Sequence, residues 1–348
     1  MAGRDIIVIG ASAGGVEAVS ALVRGLPADL PAAVFVVVHF PPRSRSVLPR
    51  ILERAGPLPA AHAVDGEAIR PGRIYVAPPG RHLLIHDGQV RLVAGPRENG
   101  AIPAVDPLFR SAARWHGPRV VGVVLTGNLD DGSAGIVAIK HRGGVAVAQD
   151  PAQAPYDGMP RSVVETAPVD HVVPVEQMGA LLAQLAAGPP NVDPSATPEE
   201  PVDHAAGESM DERIQRESDI MEMQPSELGD DQRPGEPSGF SCPECHGVLW
   251  EIREGDVVRY RCRVGHGYSA EALLAEQGRG VEAALWIAFR ALRERAALCR
   301  RMAQRMEARG QHALAARQHE EAADAEQRAG VLRQVLLHGP QAEPLASD

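Results

Sequence analysis

A chain of 348 residues with a net charge of -10 is long enough for two or more domains and too acidic to read as a binder of nucleic-acid backbones. No apolar run reaches the ~18 residues that span a bilayer, and the start "MAGRDIIVIG" lacks the basic, apolar and cleavage regions of a signal peptide. The expectation is a cytoplasmic protein with no membrane insertion and no nucleic-acid partner. Three of its four cysteines lie within the 21 residues from Cys242 to Cys262, a spacing that fits metal binding in a reducing compartment.

In chain order, "DIIVIG" is a buried strand that runs into the small-residue turn "GASAG" and then an amphipathic helix, Gly14 to Gly25. "AVFVVVHF" follows, then a helix from Ser44 to Ala55, the strand "RIYVAP", and "RHLLIHDGQVRLVAG", where Asp87 and Gly88 between alternating runs predict a hairpin at a sheet edge. A helix from Asp106 to Trp115, the strand "RVVGVVLTG", a helix from Asp131 to His141 and the strands "VAVAQ" and "HVVPV" complete the pattern. The strands are rich in Val and Ile without strict alternation, as strands buried on both faces are. The fold class is α/β, a doubly wound and mostly parallel sheet with an edge hairpin.

In such sheets, functional residues gather beyond the carboxyl ends of the strands. There the first strand delivers Ser12, the second His39, and "LTGNLDDG" delivers Asp130 and Asp131. A dinucleotide loop would need a glycine where Ser12 stands and an acidic residue where His39 stands, and a phosphate loop would need G-K-[ST]. "GASAG" instead matches a nucleophile elbow. A serine hydroxyl needs a base and the base needs an orienting carboxylate, roles open to His39 and to Asp131, with Asp130 a rival for the last. Amides near Gly14 and Gly15 would face an oxyanion. The bland alternatives are a small turn residue, a strand-end histidine and a helix N-cap.

From Gly188 to Phe240 the sequence holds 14 acidic and three basic residues, a net of -11, among many Pro, Gly and Ser. It reads as a disordered acidic linker, with "ESMDERIQRESDIMEM" a transient helix or docking peptide within a solvated spacer. Beyond it, Cys242 and Cys245 form a C-x2-C pair, and Cys262 with His266 a C-x3-H pair. Joined by the hairpin-like "VLWEIREGDVVRYR", they predict a zinc-ribbon-like module with a structural, four-ligand site, His246 being a rival fourth ligand. Two helices follow, from Ala270 and from about Gln311 to Leu337, the first with Val281, Leu285, Phe289, Leu292, Ala296, Cys299 and Met306 on one face. They make a helical hairpin, Cys299 a packed thiol. The expected organisation is 1–187 catalytic, 188–239 linker, 240–269 ribbon, 270–338 helical hairpin and 339–348 disordered tail.

Six blocks between about Asp5 and Leu185, "IGASAGGVEAV", "VVVHFPP", "GRIYVAPPGRHLLI", "PAVDPLFRSAA", "GVVLTGNLDDGSAGIVAI" and "AVAQDPAQAPYDGMPRSV", resemble in order the catalytic domain of CheB-type chemotaxis protein-glutamate methylesterases. The resemblance implies a serine hydrolase that removes methyl esters from glutamates of chemoreceptor helices, in some members also a glutamine deamidase. It implies Ser12 as nucleophile, His39 as general base and Asp131 as its orienter. No catalytic cofactor is implied. The implied partners are methylated chemoreceptor helices, with a receptor-associated kinase or methyltransferase as others, and Arg161 is a candidate substrate contact. The match begins at Asp5, so control by a built-in N-terminal receiver domain is not expected. Where the family has T-G-M-G-x-D-G this chain reads "TGNLDDG", and the Asn128–Leu129 pair favours the alternative reading, an idle scaffold that binds receptors or signalling partners. Zinc-and-helix tails of this kind resemble those of some receiver-less members.

Overall fold

Ile6 and Val8 pack into one hydrophobic cluster and Ile7 and Ile9 into another, on opposite faces of a sheet. Both faces are therefore apolar, which is why the strands read as unbroken Val and Ile runs. The computed structural model describes residues 3–40, 46–189, 209–223, 235–254 and 257–338. In chain order the first strands are β1 (Ile6–Ala11), β2 (Ala33–Val38), β3 (Ala60–His62), β4 (Ile74–Val76), β5 (His82–His86), β6 (Gln89–Val93), β7 (Val120–Val124), β8 (Val145–Gln149) and β9 (His171–Val173). All except β5 and β6 form one sheet in the order β3-β4-β2-β1-β7-β8-β9, every pair parallel.

Helices α1 (Gly15–Arg24) and α2 (Leu48–Ala55) cover one face, and α3 (Val105–His116), α4 (Ser133–His141) and α5 (Gly158–Thr166) the other. A sixth helix, α6 (Val175–Ala187), packs beside α1. In the sheet β1 lies between β2 and β7, where the strand order reverses, so its carboxyl end is the point where a crevice opens. This is the expected α/β architecture. The hairpin forms at Asp87–Gly88 but is a two-stranded sheet of its own, joined to α3 where the Ile85 amide donates to the Ser111 hydroxyl. Strand β3 was not legible, since Ala60, Ala61 and His62 carry little β-propensity. Ser44, the expected start of α2, lies outside the described residues.

Helix α7 (Met210–Met221) occupies part of the expected linker. Ser209 and Glu212 close it reciprocally as a capping box, and Met210, Ile214, Ile220 and Met221 are buried. It packs on α3 and α4, with Arg114 bound to Asp219 at 2.8 Å. The segment is thus a docked helix rather than a solvated spacer, because its acidic face pairs with arginines while its apolar face joins the core. The rest of the expected linker up to residue 234, and the tail after residue 338, lie outside the described residues.

Strands β10 (Glu236–Ser241), β11 (Val248–Glu254), β12 (Val257–Cys262) and β13 (Gly267–Ser269) form an antiparallel ribbon in that order. The chain divides into two compact units, Met1–Leu273 and Leu274–Asp348, so the ribbon belongs with the α/β sheet. Helices α8 (Ala270–Glu307) and α9 (His312–His338) are separated by the turn at Gly310. Their seam buries Ala296, Cys299 and Ala303 against Ala315, Ala322, Ala325 and Ala329, small side chains that let two helices approach closely. Val281 is 60% exposed and lies outside that seam: the Arg300–Glu326 and His319–Glu307 pairs set a register in which α9 ends before reaching it.

Candidate active site

The parallel register pairs Ala11 with Val38, so the next residues, Ser12 and His39, leave β1 and β2 at the same level of the sheet. Neighbouring strands lie about 4.8 Å apart. Both positions are fixed by backbone bonds: the His39 amide donates to the Ala11 carbonyl at 3.2 Å, and the Ser12 amide to the Thr126 carbonyl at 3.0 Å. Gly14 begins α1 at φ 71°, a left-handed conformation that costs glycine nothing. Gly127 presses against Ser12, and a Cβ there would lie 2.8 Å from the serine Cβ. The Gly15 amide, expected to face an oxyanion, donates instead to the Ser12 carbonyl at 2.9 Å and closes the turn.

His39 Nε2 donates to Asp131 Oδ2 at 2.7 Å. The carboxylate is almost fully buried and accepts three further hydrogen bonds. The Val105 amide reaches Oδ2 at 2.8 Å, while the Asp106 amide and Asn99 Nδ2 reach Oδ1 at 3.1 and 3.0 Å. The two amides belong to the first turn of α3, whose dipole favours an anion at that end. Burial alone would raise the Asp131 pKa, but the His39 contact and the two amides outweigh it and hold the carboxyl below the usual range. Asp130, the rival, receives the Ser269 hydroxyl at 2.6 Å, and burial pushes it up to about 6. The structure brings Asp131, not Asp130, to His39.

Leu129 has φ 61°. It adopts a left-handed turn that a glycine would take more cheaply, at a local cost of about 1–2 kcal/mol. The start of α5 packs on this loop: the Met159 amide donates to the Gly127 carbonyl at 2.9 Å, and a Cβ on Gly158 would lie 2.9 Å from the Leu129 amide. Arg161 is exposed one turn on and pairs with Asp157.

A family model described as CheB methylesterase matches residues 7–182, just over half of the 348 residues and all of this sheet except Ile6. The chain belongs to the CheB methylesterase family. Among curated proteins, it is 42% identical over 181 residues to a protein-glutamate methylesterase/protein-glutamine glutaminase 2 of Anaeromyxobacter dehalogenans, a match covering 52% of this chain and 53% of that one. A putative protein of the same activities from Leptospira interrogans is 38% identical over 182 residues, covering 52% of this chain and 94% of its own. The crystal structure of the Thermotoga maritima CheB methylesterase catalytic domain superposes with a TM-score of 0.51 at 34% identity, covering 53% of this chain and all of that one. The chain spans about half the length of the Anaeromyxobacter relative. No described helix is long and apolar enough to cross a membrane.

The ribbon brings Cys242, Cys245, Cys262 and His266 together, one ligand atom from each lying within 4.8 Å of the others. Cys245 Sγ is 3.6 Å from Cys262 Sγ, and His266 Nδ1 lies 3.6 and 3.5 Å from the sulfurs of Cys242 and Cys262. A tetrahedron with bonds of about 2.3 Å has edges of about 3.8 Å, so these spacings could hold a metal ion. His266 Nε2 faces Glu244 at 3.4 Å, the kind of carboxylate that orients a histidine ligand. His246, the rival, is outside the group.

Several residues at the site gave no sequence signal. Glu98, Arg110, Glu217, Arg259 and Arg261 form a buried ion cluster that joins α3, α7 and β12: Glu98 meets Arg110 at 2.8 Å and Arg261 at 2.9 Å, and Glu217 meets Arg259 at 3.1 Å. Asn99, next to it, stands in the stretch "RENG", which matches no motif. For α7, which falls in the stretch read as a transient helix or docking peptide, the capping-box pattern Ser209 to Glu212 is the signal that marks its start.

Proposed function

We propose that this chain is a protein-glutamate methylesterase in which Ser12 is the nucleophile, His39 the general base and Asp131 its orienter. The observation that carries this reading is the shared ladder step of Ser12 and His39, with Asp131 bonded to the imidazole Nε2. Nε2 carries the proton given to Asp131, which leaves Nδ1 as the basic nitrogen. The ring is thus used the opposite way round from serine proteases, where Nδ1 faces the aspartate.

Ser12 Oγ attacks the ester carbonyl of a methylated glutamate while His39 Nδ1 takes the serine proton, and Asp131 stabilises the imidazolium. The oxyanion is met by backbone amides. Those of Ala13, next to Ser12, and Asn128, next to Gly127, donate to no partner among the described residues and suit that role. His39 returns the proton to the leaving methoxide, releasing methanol and leaving an acyl-serine. Water, deprotonated by the same histidine, then frees the glutamate carboxylate and restores Ser12. The same steps on a glutamine amide release ammonia, matching the second activity in the relatives' names.

The substrate in this reading is a methylated chemoreceptor helix presented to the rim, with Arg161 as a contact, and the enzyme works in the cytoplasm without a catalytic cofactor. Receptor-associated signalling proteins, a kinase or methyltransferase, are the further partners. Cys242, Cys245, Cys262 and His266 would hold a structural zinc ion, leaving no open coordination position. The domain organisation belongs to the same proposal, a catalytic sheet followed by ribbon and helical hairpin. The left-handed turn kept at Leu129 supports the enzyme over the idle scaffold.

The test is methanol release from methylated receptor membranes by wild type and Ser12→Ala. Release that disappears in the variant is expected. A folded wild-type protein that releases none would replace the esterase with the scaffold.

A further inference from the structure

Asn99 joins two parts of the chain that the sequence holds far apart. Its backbone amide donates to the Gly267 carbonyl at 2.8 Å, and its side-chain oxygen accepts from the Ser269 amide at 2.9 Å, so one edge of the residue belongs to β13 of the ribbon. Its side-chain nitrogen donates to Asp131 Oδ1 at 3.0 Å and to Asp106 Oδ2 at 3.2 Å. The environment leaves one orientation of the amide, since an N–H on the ribbon side requires the oxygen there and two carboxyl groups require the nitrogen.

The ribbon also grips the two residues before Asn99. The Gly267 amide donates to the Arg97 carbonyl at 3.0 Å, and the Glu98 carboxylate lies in the buried cluster with Arg259 and Arg261 of β12. A Cβ on Gly267 would stand 2.4 Å from Glu98 Oε2. Asn99 itself sits at φ 52°, held there by bonds to both sides.

We propose that Asn99 is a positioning residue for the esterase, and that β13 of the ribbon is what fixes it. The Asn99 amide holds Asp131 Oδ1 so that Oδ2 points at His39, which makes the C-terminal ribbon a working component of the active site. This rests on the catalytic reading of Ser12, His39 and Asp131.

The test uses the full-length chain. Asn99→Gly removes the side chain but tolerates the positive φ, and Asn99→Asp keeps the oxygen toward Ser269 while setting a carboxylate against Asp131. On the ribbon side, Ser269→Pro removes the donating amide, and Ser269→Ala, which loses the hydroxyl and keeps the amide, is its reference. Each is checked for folding by circular dichroism. Methanol-release kinetics are measured together with the NMR titration of the His39 ring.

Expected for Asn99→Gly is a kcat lowered about 10- to 100-fold with KM near wild type. The His39 titration moves upward, because an Asp131 with one donor fewer attracts the imidazolium more strongly. Asn99→Asp is expected to lose kcat more deeply, and Ser269→Pro to fall below Ser269→Ala. A folded Asn99→Gly with wild-type kcat and an unmoved His39 titration overturns the positioning role, and a Ser269→Pro that matches Ser269→Ala overturns the role of the ribbon. Should wild type release no methanol, the esterase reading falls, and the His39 titration still decides whether Asn99 governs the His39–Asp131 pair.

Discussion

Asp106 and Asp131 cap each other's helices. Asp131, just before α4, accepts the first amides of α3, while Asp106, in the first turn of α3, accepts the Gly132 and Gly135 amides that open α4, at 3.1 and 2.7 Å. The two helix starts are thereby locked together beside β1, and Asp131 reaches His39 as part of that lock. Burial, then the Asp131 charge, pushes Asp106 up to about 8, so around neutral pH one member of the pair is mainly protonated and the negative charge resides on the one facing His39.

Asp131→Asn is therefore expected to damage both chemistry and fold. An amide in that place presents a donor either to His39 and the Val105 amide together, which favours the wrong imidazole tautomer, or to the Asp106 amide and Asn99. Methanol-release kcat should fall about 10³- to 10⁴-fold, as for orienting carboxylates elsewhere. Thermal unfolding should show a lower midpoint than for Ser12→Ala, which touches no helix cap.

Leu129→Gly should stabilise the protein. It relieves a left-handed leucine but loosens the unfolded chain, and the difference is a gain of about 0.5–1 kcal/mol. Urea denaturation of the two proteins side by side reads it directly; a loss of stability would mean that packing of the leucine side chain outweighs the backbone strain.

His82 makes a pH-dependent contribution that can be measured. It is fully buried, accepting the Ala104 amide on Nδ1 and donating from Nε2 to the Pro96 carbonyl, and burial lowers its pKa to about 4. The unfolded chain, near 6.5, binds the extra proton first. Stability from this group is full above pH 6.5 and is lost as pH falls toward 4, by about 3 kcal/mol. In His82→Gln the slope of stability against pH between 6.5 and 4 should flatten.

A second acid window belongs to the ion cluster. Burial works to raise Glu98 and Glu217, but Arg110, Arg259 and Arg261 outweigh it and hold both below the usual range, Glu217 at about 2. Their stabilisation is present above about pH 4.5 and disappears as pH falls toward 2. Glu217→Ala leaves arginines buried without their partner and should cost about 3–5 kcal/mol. Hydrogen exchange should show the loss first in α7 and the ribbon.

Metal removal is the remaining test of the ribbon. Full-length protein purified without chelator should carry about one zinc per chain by elemental analysis, and a strong chelator should lower the unfolding midpoint of the first compact unit. Cys245→Ser should carry less metal and melt lower. A metal-free wild type with an unchanged midpoint would remove zinc from the description.

The parts of this protein legible in its sequence were those governed by local pattern. Buried strands announced themselves as Val and Ile runs, and strand ends gave Ser12, His39 and the Asp130–Asp131 pair. The pattern could not choose between those two aspartates, because which carboxyl turns inward depends on α3, whose first amides lie 25 or 26 residues upstream. Asn99, Glu98 and Glu217 were invisible for the same reason. A buried glutamate reads as a surface charge until its partners, two of them arginines more than 160 residues away for Glu98, are known to pack on it. Acidic composition likewise disguised α7, whose charges are spent on partners in the fold rather than on water.

The separation of Glu98 from Arg259 also sets a clock for synthesis. At about 5–20 residues per second, a ribosome needs roughly 10–30 s to cover the 161 residues between them. By the end of that interval every strand of the sheet that carries Ser12 and His39 has been made, while the loop of Glu98 and Asn99 has waited throughout for β12 and β13. The nascent chain acquires Ser12 and His39 early, and the strands that brace the neighbourhood of Asp131 arrive last.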